Sequence, residues 1–173
     1  MFGSIKTLIS DLVGNTKTRS PATGYNTWLA TAALLRRVAT VHREMSEDRR
    51  KKLYTLVKAA FGLDDHTTAH LIEESTAVDR EAIDLYHYTR QLNEVLDDEG
   101  RRRTVRMMWE VAYADGNANE VEANIIWRSA DLLGVSSRQR VELRQRVSAD
   151  AGALARVGVG RPQSLAFEET VGN

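Results

Sequence analysis

The 173-residue chain has no cysteine, no excess of either charge and no long apolar run. The absence of cysteine excludes disulfide bonds, thiol catalysis and cysteine-ligated zinc, and it suits a reducing cytoplasm. The 24 basic residues balance the 24 acidic residues, so no overall charge favours nucleic acid or an anionic membrane. No apolar run approaches the roughly 20 residues that span a bilayer, and the N-terminus lacks the pattern of a signal peptide. These absences predict a cytoplasmic protein without a nucleic-acid partner.

Catalytic motifs are also missing from the sequence. It has no P-loop, no dinucleotide-binding fingerprint and no nucleophile elbow, so we predict no catalytic and no cofactor-binding residue. His66 and His70 have the spacing of two ligands on one helix face, but no third ligand is fixed near them, and we interpret them as solvated. The basic runs at 49–52 and 101–103 adjoin acidic clusters, and we interpret both as neutralised surface rather than phosphate sites.

Helical periodicity dominates what the sequence does contain. Apolar residues recur at intervals of three and four, and no segment alternates as a strand does, so the fold class is all-α. Trp28, Trp109 and Trp127 occupy helical positions with apolar neighbours and are predicted core residues. The predicted segments are an amphipathic helix at 1–13, a linker at 14–24, a single helical domain at 25–147 and a disordered tail at 148–173.

Capping residues and glycines divide the domain into helices. The predicted N-terminal caps are Ser46, Asn119 with Glu122, and Ser136 with Gln139. The predicted C-terminal stops are Gly62 and Gly134. Between them we expect a short helix from Asp64 to about Glu74, and a longer helix from Ser75 or Asp79 to about Asp98, with a break at Gly100.

The two halves of the domain resemble each other. The apolar run Leu34–Ala39 lines up with Met107–Ala112, and Leu53–Gly62 lines up with Ile125–Gly134, with one extra residue in the first loop. Neither helix pair buries its apolar face alone, so the two are expected to pack together. We therefore predict a bundle of about seven or eight helices, built from two degenerate, pseudo-symmetric helix-loop-helix halves.

The loop between the second pair of helices gathers oxygen ligands. Asp115, Asn117 and Glu120 lie in or next to it, and Glu122 follows in the first turn of the next helix. An EF-hand is excluded, because its sixth position is Glu120 instead of glycine and its twelfth is Ile126 instead of glutamate. Oxygen ligands suit Ca²⁺ or Mg²⁺ better than Zn²⁺. The alternative is structural, since Asn119 and Glu122 also form a capping box.

Several motifs lie close together in the second half: Tyr113-Ala114-Asp115-Gly116, then Glu120 and Glu122, and then the runs Ile125–Arg128 and Leu132–Val135. Together they resemble the TerB-like family, which is named for a bacterial tellurite-resistance protein. The resemblance covers about residues 25–147, and this part of the chain is similar to small bacterial members of the family. It implies an all-helical bundle of two pseudo-symmetric halves whose acidic residues bind divalent metal. Relatives occur as single cytoplasmic domains and as a module of a membrane-anchored DnaJ-type co-chaperone.

The first half departs from the family pattern. His42-Arg43 replaces Asp-Gly, and Arg49 or Arg50 stands where an acidic residue is expected. Two arrangements are open: a divalent ion bound by Asp115, Asn117, Glu120 and Glu122, or an internal pair between an arginine and the carboxylates. The resemblance favours the ion.

The function predicted from these features is a non-enzymatic interaction or stress-response module of the tellurite-resistance type, with an unidentified protein partner. One alternative is a metal-dependent hydrolase that uses the clustered carboxylates. The other is a peripheral adaptor at the inner membrane, attached through residues 1–13.

Overall fold

A computed structural model of the chain describes residues 21–41, 44–79 and 85–158. These residues form α helices and contain no β-strand, which confirms the all-α class. The helices are α1 (Pro21–Thr40), α2 (Glu47–Phe61), α3 (Asp65–Asp79), α4 (Leu85–Val95), α5 (Asp98–Ala112), α6 (Glu120–Leu132) and α7 (Ser137–Gly158). The predicted helix at 1–13 lies outside the described residues. Within the described part of the chain, no helix is long and apolar enough to cross a membrane.

The helix α1 is the centre of the bundle. Its five consecutive residues from Ala30 to Leu34 are all buried, so the middle of the helix is covered on every side rather than along one stripe. It packs against each helix from α2 to α6. The apolar residues Leu34, Leu35 and Val38 are fully buried and form the middle of the core.

Tryptophan side chains join the outer helices to this core. Trp109 of α5 is fully buried, and its ring meets that of Trp127 on α6 edge to face at 5.6 Å. The guanidinium carbon of Arg144 on α7 lies 5.1 Å from the centre of the Trp109 ring. Trp28 is partly buried and stacks on Phe61 at 5.6 Å. All three tryptophans therefore lie in or against the core, as their helical spacing predicts.

Most of the predicted helix ends are confirmed. The Ser46 hydroxyl accepts a hydrogen bond from the backbone N–H of Arg49, and both predicted capping boxes form. Gly62 and Gly134 have φ angles of 59° and 72°, in the left-handed region that ends helices. These ends depend on bonds between residues a few positions apart, which is why the sequence indicates them.

Three predicted boundaries are wrong. The linker at 14–24 does not reach Tyr25, since α1 begins at Pro21, where proline costs little because the first helical N–H needs no partner. Ser75 does not open a helix: it lies inside α3, and its hydroxyl donates to the Ile72 carbonyl. Gly100 is not a break, because it lies in the first turn of α5 and donates its N–H to the Asp97 cap.

The last helix also exceeds its predicted end. The sequence analysis ends it near Val147, whereas α7 continues to Gly158. Residues 149, 151, 153 and 155 are alanines, the strongest helix formers, and they extend the helix without an apolar stripe. The extension is mostly exposed, and Leu154 and Val157 are 72% and 80% accessible. The remainder of the predicted tail, 159–173, lies outside the described residues.

The two predicted halves correspond to α1 with α2 and to α5 with α6. In each half a loop connects the helices, and the second helix is followed by a glycine in the left-handed conformation. The superposition of the halves about a pseudo-two-fold axis stays a prediction. The packing of α2 against α5 brings the start of α2 to the loop before α6, where the predicted ligands lie.

Candidate functional site

Three helix ends meet around the predicted acidic loop. The helix α5 ends at Ala112, the chain turns through Gly116 with a φ of 116°, and α6 begins after the Asn119 cap. The start of α2 approaches from the other half of the domain. We call this site the acidic corner and define it by Ser46, Arg49, Ala112, Asp115 and Glu122.

The acidic corner is built around a forked pair between Arg49 and Glu122. Arg49 donates from Nη1 to Oε1 of Glu122 at 2.5 Å and from Nη2 to Oε2 at 3.0 Å. Two parallel bonds of this kind are the strongest contact between these side chains, and they fix the orientation of both. The arginine side chain is 8% exposed and the glutamate 1%. The pair is therefore buried and holds α2 against α6.

Asp115 closes the other side of the guanidinium. Nη2 of Arg49 donates to Oδ1 of Asp115 at 3.2 Å, and the Ser46 hydroxyl donates to Oδ2 at 3.1 Å. Nε of Arg49 lies 2.9 Å from Oδ2 without the alignment of a hydrogen bond, so this contact is purely electrostatic. The Asp115 side chain is 31% exposed and forms the solvent edge of the site.

Backbone groups complete the acidic corner. Nη2 of Arg49 also donates to the Ala112 carbonyl at 3.2 Å, which satisfies one of the free carbonyls at the end of α5. Oε2 of Glu122 accepts the N–H of Asn119 at 3.1 Å, so the residue that binds Arg49 also completes the capping box. Glu122 therefore links the local cap of α6 to the other half of the domain.

The carboxylates of the acidic corner stabilise the charged form of Arg49. Burial by itself lowers the pKa of Arg49, but hydrogen bonds and charge from Glu122, followed by those from Asp115, outweigh it and raise this pKa. One guanidinium thus faces two carboxylates. A buried pair of this kind is costly to break, typically by about 3–5 kcal/mol, because the remaining charge has no partner.

The structure brings together two of the four predicted ligands. Asp115 and Glu122 converge, but on Arg49. Asn117 and Glu120 have exposed side chains and take no part in the hydrogen bonds of the acidic corner. In the described ranges 21–41, 44–79 and 85–158, no group of three or more histidine, cysteine, aspartate or glutamate side chains is placed to hold a metal.

The acidic corner does not fit a divalent ion while Arg49 is in place. Its guanidinium lies between the oxygens that would have to be the ligands, and a cation would have to displace it. Binding of Ca²⁺ or Mg²⁺ by Asp115, Asn117, Glu120 and Glu122 stays a prediction. Of the two arrangements left open by the sequence, the internal arginine-carboxylate pair is the one these contacts support.

The interpretation of residues 49–52 as neutralised surface is wrong for Arg49 alone. The side chains of Arg50 and Lys52 are 67% and 38% exposed, as expected, but Arg49 points inward. A signal was present in the sequence. Arg49 is the third residue after a serine cap, where the helix dipole favours an acidic side chain and disfavours a cation. A cation at that position requires an anionic partner from elsewhere in the fold.

His66 and His70 are solvated, as we interpreted them from the sequence. His66 and His70 are both exposed, and Nδ1 of His70 lies 3.8 Å from a carboxylate oxygen of Glu74. The same Glu74 accepts a hydrogen bond from the Tyr25 hydroxyl, which joins the start of α1 to α3. This bond, with a smaller effect of burial, raises the pKa of Tyr25 to about 12.

Two open grooves flank α7. The first has a volume of about 700 Å³ and lies between α2, α5 and α7, with four arginines on its sides. We call it the arginine groove; those residues are Arg102, Arg103, Arg106 and Arg146, above a floor that includes Leu56 and Leu143. The second, of about 710 Å³, lies between α2 and the end of α7. Both grooves are open to solvent.

Comparison with known proteins identifies the family. No curated protein matches the chain, and no solved structure does. A family model described as "Tellurite resistance protein TerB" matches residues 28–145, which is more than half of the chain and includes both the start of α2 and the acidic corner. The all-helical architecture agrees with this match. The chain therefore belongs to the TerB family of tellurite-resistance proteins.

Proposed function

We propose that the protein is a non-enzymatic interaction module in a stress response of the tellurite-resistance type. The observation that carries the proposal is that the acidic corner is filled by its own side chains. The polar side chains that converge there bind one another, and the forked pair at their centre is buried.

A hydrolase would need its carboxylates free to act. A metal-dependent site requires about three converging ligands and one open position for water or substrate. Here both Glu122 oxygens accept hydrogen bonds from Arg49, and Oε2 also accepts from Asn119. Both Asp115 oxygens contact Arg49, and one also accepts from Ser46. This arrangement supports a structural role for the acidic corner over a catalytic one.

The surface we propose for the partner is the arginine groove. Its apolar floor is suited to side chains of another protein, and two of its arginines are paired: Arg102 with Glu99 at 2.8 Å and Arg106 with Glu110 at 2.9 Å. Arg103 and Arg146 are exposed and make no ion pair with another residue in the described part of the chain. An acidic protein segment with apolar side chains has the complementary chemistry.

The groove is a poorer match for nucleic acid. Three glutamates, Glu99, Glu110 and Glu142, line it beside the four arginines. The whole chain carries no net charge. Binding to a phosphate backbone requires a more uniform positive surface. We therefore propose a protein partner.

Tellurite tolerance tests both the stress role and the surface. Cells that lack the gene should grow poorly on potassium tellurite, and the intact gene should restore growth. The double variant Arg103→Glu/Arg146→Glu should fail to restore growth at equal protein level. The matched control, Arg128→Glu/Arg156→Glu, changes two exposed arginines outside the groove and should restore it. Unaltered growth of the deletion strain would refute the stress role, and full rescue by the groove variant would refute the surface.

The peripheral-membrane alternative is tested separately. It depends on residues 1–13, which lie outside the described residues. A protein lacking these residues should show the same sedimentation with anionic vesicles as the intact protein. Vesicle binding that is lost on this deletion would favour the membrane adaptor.

A further inference from the structure

We infer that Arg49 is a built-in cation of the acidic corner, so that the fold needs no divalent ion there, and that removing its side chain uncovers a divalent-cation site. Five oxygens surround its guanidinium: two from Glu122, two from Asp115 and the Ala112 carbonyl. All lie 2.5–3.2 Å from a guanidinium nitrogen. The inference does not depend on the proposed partner.

The oxygens around Arg49 are of the type that hard cations prefer. Ca²⁺ takes six to eight oxygen ligands from carboxylates, carbonyls and water, at roughly 2.3–2.6 Å. Two bidentate carboxylates and one carbonyl would supply five of them, and water would supply the others. Asp115 lies at the solvent edge, which gives an ion a path of entry. Once the guanidinium is gone, two negative charges remain without a counter-ion in a largely buried site.

Arg49 occupies the same position in α2 as Glu122 occupies in α6. It is the third residue after the Ser46 cap of α2, and Glu122 is the third residue after the Asn119 cap of α6. The equivalent positions of the two helices therefore carry opposite charges and bind each other. A carboxylate at position 49 would instead face Glu122 and Asp115, and the site would require an added cation. A single residue thus decides whether the acidic corner depends on a divalent ion.

Local preferences do not explain an arginine at this position. The start of a helix favours negative side chains by roughly 0.3–1 kcal/mol, so Arg49 is locally unfavourable. The two other charged residues in the first turn of α2, Glu47 and Asp48, are acidic and exposed. The buried contacts with Glu122 and Asp115 compensate for this cost, and they are specific to position 49.

Thermal unfolding with and without cations tests the inference. The unfolding temperature of the wild-type protein should be the same in EDTA and in millimolar Ca²⁺, Mg²⁺ or Mn²⁺. Arg49→Ala should lower it on the order of 10 °C in EDTA, and at least one of the cations should restore most of this loss. The matched control is Arg50→Ala, which removes the neighbouring exposed arginine and should behave like the wild type under all conditions.

A second variant covers the possibility that Arg49→Ala folds poorly, and calorimetry adds a direct measurement of binding. Arg49→Lys keeps one positive charge and should remain indifferent to cations, although less stable because lysine lacks the fork. Calorimetric titration with Mn²⁺ should detect one site in Arg49→Ala and none in Arg49→Ala/Asp115→Asn. The inference fails if the wild type is stabilised by a cation and Asp115→Asn removes the effect. It also fails if Arg49→Ala gains neither stability nor a site, or if Arg49→Lys becomes cation-dependent.

Discussion

Replacing Glu122 with glutamine isolates the charge of the forked pair from everything else this residue does. Glutamine has nearly the same shape, and it can still accept the Asn119 N–H in the capping box. It can accept only one of the two bonds from Arg49, because its other terminal atom is a donor. The variant therefore leaves Arg49 buried with Asp115 as its remaining anionic partner.

The expected loss follows from this geometry. Removing one partner of a buried pair costs about 3–5 kcal/mol. One retained bond and the remaining Asp115 contact reduce the expected loss to roughly 2–3 kcal/mol. For a chain of this length, each kcal/mol shifts the melting temperature by about 2–4 °C. Glu122→Gln should therefore lower it by about 4–12 °C.

Glu120→Gln is the matched control. Glu120 lies in the same first turn of α6 and is exposed. The two substitutions remove the same charge from the same end of the helix dipole, so Glu120→Gln should cost only about 0.3–1 kcal/mol. Urea unfolding followed by circular dichroism at the helical signal measures both variants. Equal losses for the two variants would show that the pair with Arg49 contributes no stability, contrary to our reasoning.

Other predictions concern the ends of the chain and the internal repeat. Removing residues 148–173 should lower the melting temperature by no more than about 2 °C, because side chains from 148 to 157 are exposed apart from partly buried Ala151; a larger loss would show that the end of α7 or residues beyond it stabilise the core. In an absorbance titration, one tyrosine should ionise near pH 12, and this ionisation step should be absent from the Tyr25→Phe variant. Because the folded pKa of Tyr25 is raised, its contribution to stability should be complete below about pH 10 and lost as the pH rises through about 12. In a crystal structure of the protein, α1 with α2 should superpose on α5 with α6; different crossing angles in the two pairs would contradict the repeat.

The sequence by itself determined the elements that depend on near neighbours. The all-α class follows from apolar spacing along each helix, and the Ser46 cap and the Asn119–Glu122 box join residues only three apart. Gly62 ends α2 because its backbone alone adopts the left-handed conformation at little cost. These features carry their physical cause within one or two turns of chain, so the pattern of residues was sufficient.

Helix lengths were less accessible from the sequence. Gly100 has the composition of a break but lies in a first turn, where Asp97 satisfies its N–H. The end of α7 has no apolar stripe, yet alanine-rich sequence extends it to Gly158. The glycine by itself favoured a break at 100, and the missing apolar stripe favoured an early end of α7; in each case another local effect outweighed that signal.

Only the tertiary structure decided the chemistry of the acidic corner. Asp115 and Glu122 have the composition of a cation site, and the sequence left an ion and an internal arginine as alternatives. Arg49 lies 66 residues from Asp115 and 73 from Glu122, so its position relative to them depends on how α2 packs against α5 and α6. The packing buries the guanidinium between two carboxylates because a buried anion without a counter-charge is far more costly than a buried pair.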